Sequence, residues 1–334
     1  MNELERGLDA LAAETGFSGA VRVDDADGRT LAKAYGLAHR ALAVANTPAT
    51  RFGTASATKG LTALAVAALV EDGTLSFDTR ARELLGDDLP LIDDAVTVAH
   101  LLEHRSGIGD YLDEDAETDL AAYLMPVPVH ELAETEDYLA VLSGHETKFP
   151  PGEAFSYSNG GYVVLALLAE RAGGTTFREL VRTRVCEPAG MASTAFLRSD
   201  ELPGDAALGY LEVDGAERTN VFHLPVRGTG DGGIYSTVAD LRSFWLALFA
   251  GRIVEPELVR ELVAPRSETP LGDRYGRGFW LHPTSDAVRL VGSDAGVSFR
   301  SVHDPGGGVT HTVVSNTSDG VWPVTRRLDE LLEL

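Results

Sequence analysis

Ser56 and Lys59 lie three residues apart in a segment that predicts the start of a helix. Residues at this spacing share one helix face, so the serine hydroxyl and the lysine amine are expected to meet. A serine hydroxyl becomes a nucleophile when a base removes its proton, and a neutral lysine amine is such a base. The positive end of the helix disfavours the charged amine and stabilises an alkoxide on Ser56. The pair therefore predicts a nucleophile beside its own base.

Lysine is rare in this chain, which draws attention to each of its positions. The 28 basic residues include the lysines Lys33, Lys59 and Lys148, and the others are arginines. An arginine stays protonated in proteins, so it cannot replace a lysine that acts as a base. Each of the three lysines is therefore a candidate base, and the serine motif favours Lys59.

A second polar motif, formed by Tyr157 and Asn159, follows about a hundred residues later. It comes after Pro151 and Gly152, which predict a tight turn and place the motif in a loop rather than inside a helix. A phenol beside a lysine can relay protons, and an asparagine amide can hold both an amine and a substrate carbonyl. Together the two motifs favour nucleophilic catalysis.

Longer segments around these residues resemble a known family. Residues 51–59 resemble the nucleophile block of the serine β-lactamase and penicillin-recognising peptidase superfamily, on its class C and family VIII carboxylesterase side. Residues 101–108 resemble its LLxHxSG helix end, and residues 231–241 resemble its GGxxST…DL segment. The resemblance extends, in order, over about residues 18 to 315.

The resemblance implies a role for each residue of the two motifs. Ser56 is the expected nucleophile, Lys59 the proton acceptor, Tyr157 its acid–base partner, and Asn159 an amide that orients the substrate. The reaction it implies passes through an acyl-enzyme that water then hydrolyses. No cofactor and no metal ion is predicted.

The third motif of the family is altered in this chain. Members of the family carry Lys-Thr-Gly or His-x-Gly on a strand that lines the cleft, whereas this chain has Ser293 and Asp294 in the first two places. A carboxylate pointing into the cleft would repel the carboxylate of a penicillin or a D-alanyl terminus, and a turn aspartate facing solvent would not. The sequence leaves both orientations open. The predicted oxyanion donors are the amide of Ser56 and that of Ala295 or Gly296.

The elements around the motifs predict an α+β fold of the β-lactamase/transpeptidase type. Helices are predicted at residues 2–15, 56–71, 96–104, 129–142, 161–172, 177–186, 238–250 and 321–334. Strands are predicted at residues 18–23, 29–35, 207–213, 275–281, 287–291, 297–303 and 309–315. The strands are expected to form an antiparallel sheet flanked by the terminal helices, and the acidic stretch 110–119 is expected to be a solvated loop.

The order of the elements also predicts two lobes. Residues 1–75 and 205–334 are expected to form the α/β sheet lobe, and residues 76–204 an inserted, mainly helical lobe. An active site is expected in the cleft between them.

Composition excludes several partners. The chain has 28 basic and 51 acidic residues, a net charge of −23, which disfavours binding to nucleic acids and to anionic membranes. We find no signal peptide, no apolar run near the ~18 residues of a membrane span, and a single cysteine. These features predict a cytoplasmic protein whose partner is a small ester, amide or peptide. The oligomeric state stays open.

The predicted function is hydrolysis of an ester or amide through an acyl-Ser56 intermediate, by a carboxylesterase or a small D-residue peptidase. A true β-lactamase or DD-peptidase is the alternative within the same family. Two alternatives come from other classes. One is a non-catalytic ligand-binding protein on the same fold. The other is a zinc hydrolase, because His100, Glu103 and His104 match the H-x-x-E-H motif.

Overall fold

An antiparallel sheet of eight strands organises the computed structural model, which describes residues 2–115, 122–269 and 272–332. Numbered along the chain, the described strands are β1 (Gly19–Asp24), β2 (Thr30–Tyr35), β3 (Leu37–His39), β4 (Val44–Ala45), β5 (Phe52–Gly53), β6 (Tyr210–Val213), β7 (Ala216–Thr219), β8 (Tyr235–Ser236), β9 (Ser267–Glu268), β10 (Arg274–Tyr275), β11 (Trp280–Leu281), β12 (Val288–Asp294), β13 (Val297–Asp304) and β14 (Val309–Ser315). The order in the sheet is β2-β1-β14-β13-β12-β11-β10-β9.

Helices separate the early strands from the late ones and close both ends of the chain. The described α-helices are α1 (Asn2–Thr15), α2 (Thr58–Glu71), α3 (Ala81–Leu85), α4 (Val98–Leu102), α5 (Leu139–Leu142), α6 (Asn159–Gly173), α7 (Phe177–Val181), α8 (Glu187–Ala189), α9 (Val238–Phe249), α10 (Pro256–Leu262) and α11 (Val321–Leu332). Short 3-10 turns occupy Ala55–Ala57, Val129–Glu131, Thr135–Tyr138 and Asn220–Phe222, and a π-helical turn occupies Arg182–Cys186. The α+β fold expected from the sequence is confirmed.

Both faces of the sheet are covered. On the outer face, α1 and α11 pack on β1, β2 and β14 through an apolar cluster that includes Leu8, Val313 and Leu328. On the inner face, α9 lies against β14 and β1, and Trp245 on this helix donates its ring N–H to the Ser301 hydroxyl on β13 at 2.8 Å. The central strands are therefore buried on both sides, which makes the sheet a rigid support for what lies at its edge.

α2 and α6 run through the centre of the protein and pack against each other. Nearly every side chain of both helices is buried, as their alanine-, leucine- and valine-rich sequences require. Their amino-terminal turns carry Lys59 and Asn159, two of the residues predicted to do chemistry.

Three predicted elements are wrong in their extent. Residues 129–142 form two 3-10 turns and the short α5 instead of one helix, because the backbone N–H of Glu134 bonds to Asp137 and starts a new turn. Residues 275–281 form β10 and β11, which pair with each other across a turn where Gly278 has a φ of +92°. Residues 207–213 contribute β6, which pairs with β7 outside the main sheet.

The two-lobe division stays a prediction. One apolar cluster contains residues from both proposed lobes, including Leu64 of α2 and Leu165 of α6, so burial is continuous across the proposed boundary. No helix among the described residues is both long and apolar enough to span a membrane.

Candidate active site

Ser56 lies in the 3-10 turn just before α2, between strand β5 and the helix. Ala55 before it has a φ of +47°, a left-handed conformation that is costly for a residue other than glycine. The Thr58 hydroxyl stabilises the turn by donating to the carbonyl of Ala55 at 2.8 Å. The side chain of Ser56 is half-buried and lines a cavity. The turn therefore presents its hydroxyl to open space.

Lys59 is almost fully buried, with 2% of its surface exposed. Its Nζ lies 3.0 Å from Oγ of Ser56, 2.8 Å from Oδ1 of Asn159 and 2.9 Å from the carbonyl oxygen of Asp231. Burial lowers the pKa of Lys59, and nearby carboxylates, that of Asp231 most, oppose the change. The predicted Ser56–Lys59 contact is therefore present, and burial favours the neutral amine.

Tyr157 lies in a loop, as predicted, and its ring faces the lysine. Nζ of Lys59 is 4.8 Å from the centre of the Tyr157 ring, and the phenol hydrogen-bonds with Ser56. The ring contacts His104 at a centroid distance of 4.3 Å and stacks on Trp280 at 6.1 Å. Burial raises the pKa of Tyr157 well above its ordinary value. The phenol is therefore protonated at neutral pH.

Asn159 is the first residue of α6 and connects Lys59 to a carboxylate. Its Oδ1 accepts from Lys59, and its Nδ2 donates to Glu114 at 3.0 Å and to the carbonyl of Leu112 at 3.2 Å. Ser158 caps the helix, its hydroxyl accepting from a backbone N–H. These contacts determine which end of the amide faces the lysine.

Asp294 is among the residues that line the same cavity as Ser56, in agreement with the first of the two orientations that the sequence left open. Burial raises the pKa of Asp294 to about 7, and the negative charges of Asp231 and Glu114 act in the same direction. Its carboxylate accepts the backbone N–H of Ala295 at 2.8 Å.

The backbone donors predicted on this strand are engaged elsewhere. The Ala295 amide donates to the Asp294 carboxylate, and the Gly296 amide donates to the Ser318 hydroxyl at 2.9 Å. Both residues form the turn between β12 and β13. In this structure, neither amide is free to donate to an oxyanion, although the sequence had suggested this role for one of them.

The adjacent residue Ser293 has a different backbone orientation. Because Asp294 pairs with Val297 across a two-residue turn, the alternation of an antiparallel ladder directs the Ser293 N–H away from β13. At the neighbouring Gly292, a Cβ atom would lie 2.2 Å from the Thr54 carbonyl oxygen and 3.0 Å from the Ser56 nitrogen. The backbone of β12 at Gly292 thus lies directly against the backbone of the serine turn.

Sequence reasoning missed several acidic and phenolic residues of the site. Residues 110–115 of the stretch expected to be solvated contribute to it, whereas residues 116–121 lie outside the described part. The Asp110 carboxylate accepts from the Ser158 hydroxyl at 2.8 Å, and burial raises the pKa of Asp110 to about 6. The Tyr111 hydroxyl donates to the carboxylate of Asp231. Asp231 is the first residue of segment 231–241, which resembles the family. That resemblance was the sequence feature that could have pointed to Asp231 as a site residue.

The cavity has about 910 Å³ of empty space, some of it open to solvent. Its lining combines Ser56 and the carboxylates with apolar side chains such as Met125 and Leu224. Such a mixture is typical of sites for small organic ligands.

The residues of the possible zinc motif have other partners. His100 closes the first turn of α4, where its Nδ1 accepts the N–H of Thr97 at 3.3 Å. Glu103 forms a buried ion pair with Arg277 at 2.9 Å. Burial lowers the pKa of His104 well below its ordinary value, and its ring packs among aromatic side chains. Across residues 2–115, 122–269 and 272–332, no three His, Cys, Asp or Glu side chains are grouped to hold a metal ion.

The other two lysines lie in ion pairs away from the serine. Nζ of Lys33 is 2.6 Å from the carboxylate of Asp9, and Nζ of Lys148 is 2.6 Å from that of Asp113. The structure therefore brings Ser56 together with one of the three candidate lysines, Lys59.

Comparisons with known proteins agree with this geometry. The family model described as Beta-lactamase matches residues 4–334. Penicillin-binding protein 4* of Bacillus subtilis (strain 168) is 29% identical over 260 residues, covering 73% of this chain and 55% of the relative. A D-aminopeptidase of Cereibacter sphaeroides is 26% identical over 302 residues, covering 87% of this chain and 55% of the relative. The chain spans about half the length of these curated relatives.

A solved structure, that of a penicillin binding protein from Bacillus halodurans, has a similar fold over its full length. The TM-score is 0.92 at 34% identity, with 97% of this chain and 99% of the other covered.

The raised pKa of Asp294 predicts how one substitution affects stability. Between its ordinary pKa of 3.8 and the folded-state value of about 7, the folded protein binds more of this proton than the unfolded chain does. The contribution of Asp294 to stability therefore decreases as pH rises through that window. We expect Asp294→Asn to be more favourable relative to wild type at pH 8 than at pH 5, by about 2 kcal/mol.

Urea unfolding of both proteins at the two pH values measures this difference. Asp87→Asn, which removes an exposed carboxylate after α3, is the matched control and should show no such pH dependence. An Asp294 variant that behaves like the control would mean that the carboxyl is not desolvated.

Proposed function

The chain belongs to the Beta-lactamase family, and from that premise we propose that it hydrolyses an ester or amide through a covalent acyl intermediate on Ser56. The observation that carries the proposal is the set of three contacts made by the Lys59 amine, to Ser56, Asn159 and Asp231. Relatives of this chain include a penicillin-binding protein and a D-aminopeptidase. The steps proposed below follow from the contacts in the site of this chain.

Lys59 takes the proton of Ser56 in the first step. A neutral amine has two N–H groups and one lone pair, whereas an ammonium has three donors and cannot accept. Asn159 Oδ1 and the Asp231 carbonyl accept the two N–H groups, so the lone pair is directed at the Ser56 hydroxyl. As Oγ attacks the substrate carbonyl carbon, its proton moves to Nζ.

Tyr157 is the proton donor to the leaving group. Its raised pKa keeps the phenol protonated, and its hydrogen bond with Ser56 places it beside the reacting atoms. When the tetrahedral intermediate collapses, the phenol protonates the departing alcohol or amine, and the ammonium of Lys59 returns a proton to it. Water then attacks the acyl group by the same steps in reverse order, which releases the acid.

Two backbone amides hold the negative oxygen of the tetrahedral intermediate. One is the Ser56 N–H, and we assign the other to Ser293, whose N–H lies on the free edge of β12. Oxyanion donors of this kind contribute about 3 kcal/mol each to the transition state. The role assigned to Ser293 belongs to its backbone, so it does not require the lysine or histidine of the family's third motif.

The preferred substrates are carboxylic esters and amides of small D-residue peptides. The D-aminopeptidase among the relatives supports the second class. A β-lactam or a D-alanyl peptide with a free carboxylate is less suited, because the Asp294 carboxylate lines the cavity that would receive it. Labelling of the Ser56→Ala variant distinguishes a hydrolase from a ligand-binding protein that has no turnover.

Removal of the Ser56 hydroxyl is expected to abolish acyl transfer. Ser56→Ala should lose labelling by a fluorophosphonate probe and at least about a thousandfold in kcat/KM for p-nitrophenyl butyrate. Ser143→Ala, in an exposed turn after α5, serves as the matched control and should label like wild type. Equal labelling of the Ser56 variant and wild type would refute the acyl-enzyme and favour a binding role.

Lys59→Arg tests whether the lysine acts as a base. The guanidinium keeps the positive charge but stays protonated, so the variant should lose about a thousandfold or more in kcat. Labelling kinetics measure the step directly, and circular dichroism checks that the buried side chain is accommodated. Retention of most of the activity would show that a positive charge, and not a proton acceptor, is what the site needs.

Gly292→Ala tests the close approach of β12 to the serine turn. The added Cβ would lie 2.2 Å from the Thr54 carbonyl oxygen, so the strand or the turn must shift and the two oxyanion donors must separate. We expect kcat/KM to decrease about tenfold to a hundredfold with little change in KM. Gly204→Ala is the control, since nothing lies within 4 Å of a Cβ there. Equal activity of the two variants would argue against the assignment of β12.

A further inference from the structure

Three carboxylates line the cavity that contains the nucleophile: Glu114, Asp231 and Asp294. The described lining residues include no lysine or arginine. In the described part of the chain, no salt bridge reaches any of these three groups. Two of the other buried acids have arginine partners: Asp24 pairs with Arg22, and Glu103 is 2.9 Å from Arg277. Asp110 and Asp240, which are also buried, bond instead to hydroxyl and backbone N–H groups.

The hydrogen bonds to these three carboxylates come from neutral donors. Asp231 accepts from the Tyr111 hydroxyl, Glu114 accepts from the Asn159 amide, and Asp294 accepts from the adjacent backbone N–H. Glu114 is exposed to solvent, whereas Asp231 and Asp294 are half-buried. Hydrogen bonds from neutral donors leave the charges of these two half-buried carboxylates uncompensated where water screens them only in part. Lys59 forms no ion pair with any of these three carboxylates: its amine contacts a hydroxyl and two carbonyl oxygens, and burial disfavours its charged form.

Glu114 and Asp294 are connected to the surroundings of Ser56 through different elements. Glu114 is joined to the nucleophile through Asn159 and Lys59, a chain of contacts of 3.0, 2.8 and 3.0 Å. Asp294 follows directly after Ser293, on the strand that runs beside the serine turn. Because these residues and Ser56 line one cavity, a cation bound by them lies in the same space as the carbonyl that Ser56 attacks.

We propose that the substrate carries a cationic group next to the scissile carbonyl, as an α-amino ester or amide does, and that Asp294 is the residue that selects for this charge. The inference rests on the proposed acyl transfer at Ser56 and names the class of its substrate. The apolar lining near Met125 and Leu224 receives the uncharged part of the molecule.

The pKa of Asp294 supports the proposal independently of the substrate's identity. Burial and the charges of Asp231 and Glu114 raise this pKa to about 7, so the empty site holds its carboxylate in an unfavourable state at neutral pH. A bound cation would relieve that repulsion, and the relief would contribute to binding. A bound anion would increase it.

Matched substrates test the proposal at neutral pH. The benzyl esters of D- and L-alanine carry an ammonium, benzyl isobutyrate has a methyl group in its place, and monobenzyl methylmalonate has a carboxylate there. The corresponding p-nitroanilides cover a preference for amides. We expect kcat/KM for one alanine derivative to exceed that for the isobutyrate at least about tenfold, which is ~1.4 kcal/mol. The methylmalonate should be the poorest substrate.

Asp294→Asn should reduce the ratio of ammonium to methyl substrate about fivefold or more. The ratio is formed within each variant, so a general loss of activity cancels. Asp87→Asn removes one negative charge outside the cavity lining and should keep the wild-type ratio. A wild-type ratio near one, or an Asp294 variant with the ratio of the Asp87 variant, would overturn the proposal.

A binding measurement separates this inference from the proposed hydrolysis. Calorimetry on Ser56→Ala should detect tighter binding of the alanine ester than of benzyl isobutyrate, and the difference should be lost when Asp294→Asn is added. If no ester or anilide is turned over and the fluorophosphonate labels nothing, the proposed function fails, while charge selection is still decided by this measurement. Equal binding of the two esters would reject charge selection even in an active hydrolase.

Discussion

A neutral lysine amine has two hydrogens to donate and one lone pair to accept with. The hydrogen bonds around Ser56 match these numbers in the proposed mechanism. The carbonyl oxygens of Asn159 and Asp231 take the hydrogens of Lys59, which leaves the lone pair for the serine hydroxyl. An ammonium in the same place would donate to all three oxygens and could accept no proton. Whatever positions the two carbonyl oxygens therefore controls the activation of the serine.

Burial of backbone and apolar side chains positions these oxygens. Asn159 begins a helix that is buried along most of its length, and the Asp231 carbonyl belongs to a glycine-rich loop pressed against that helix. A Cβ at Gly230 would lie 2.1 Å from the Tyr162 carbonyl oxygen, and the Thr62 hydroxyl donates to the Gly230 carbonyl at 2.6 Å. The absence of a side chain at Gly230 therefore permits the close packing of the loop on the helix.

Contacts between residues close together in the sequence could be predicted. The directions of the backbone N–H groups and side chains along β12 could not, because they depend on where the hairpin turns. Ser56 and Lys59 meet because helical geometry brings residues three apart together. The motif alone did not reveal that the Ser293 amide points away from β13 while the Ala295 amide bonds to the adjacent Asp294 carboxylate, since this depends on where the hairpin reverses. The inward direction of Asp294 has the same origin.

Acidic residues and burial have opposite effects on the pKa of the buried lysine, and the balance between them bears on which ligands the site favours. The charges of Asp231 and Glu114 raise the pKa of Lys59 and so work against its role as a base, while burial lowers it. A cationic substrate would offset part of this negative potential and thereby favour the neutral amine at the moment when it is needed.

In the proposed mechanism, the backbone and the side chains of β12 have separate functions, so the side chains of the third motif can change while the backbone donor is kept. The hairpin register turns the N–H of Ser293 away from β13, whichever side chain stands at that position. Asp294, the next residue, is one of three acidic residues that line the cavity. In the family pattern a lysine or histidine precedes this place and suits an anionic substrate. With a serine and an aspartate instead, this chain would, under the proposed mechanism, keep the oxyanion donor of the strand and reverse the charge that the substrate meets.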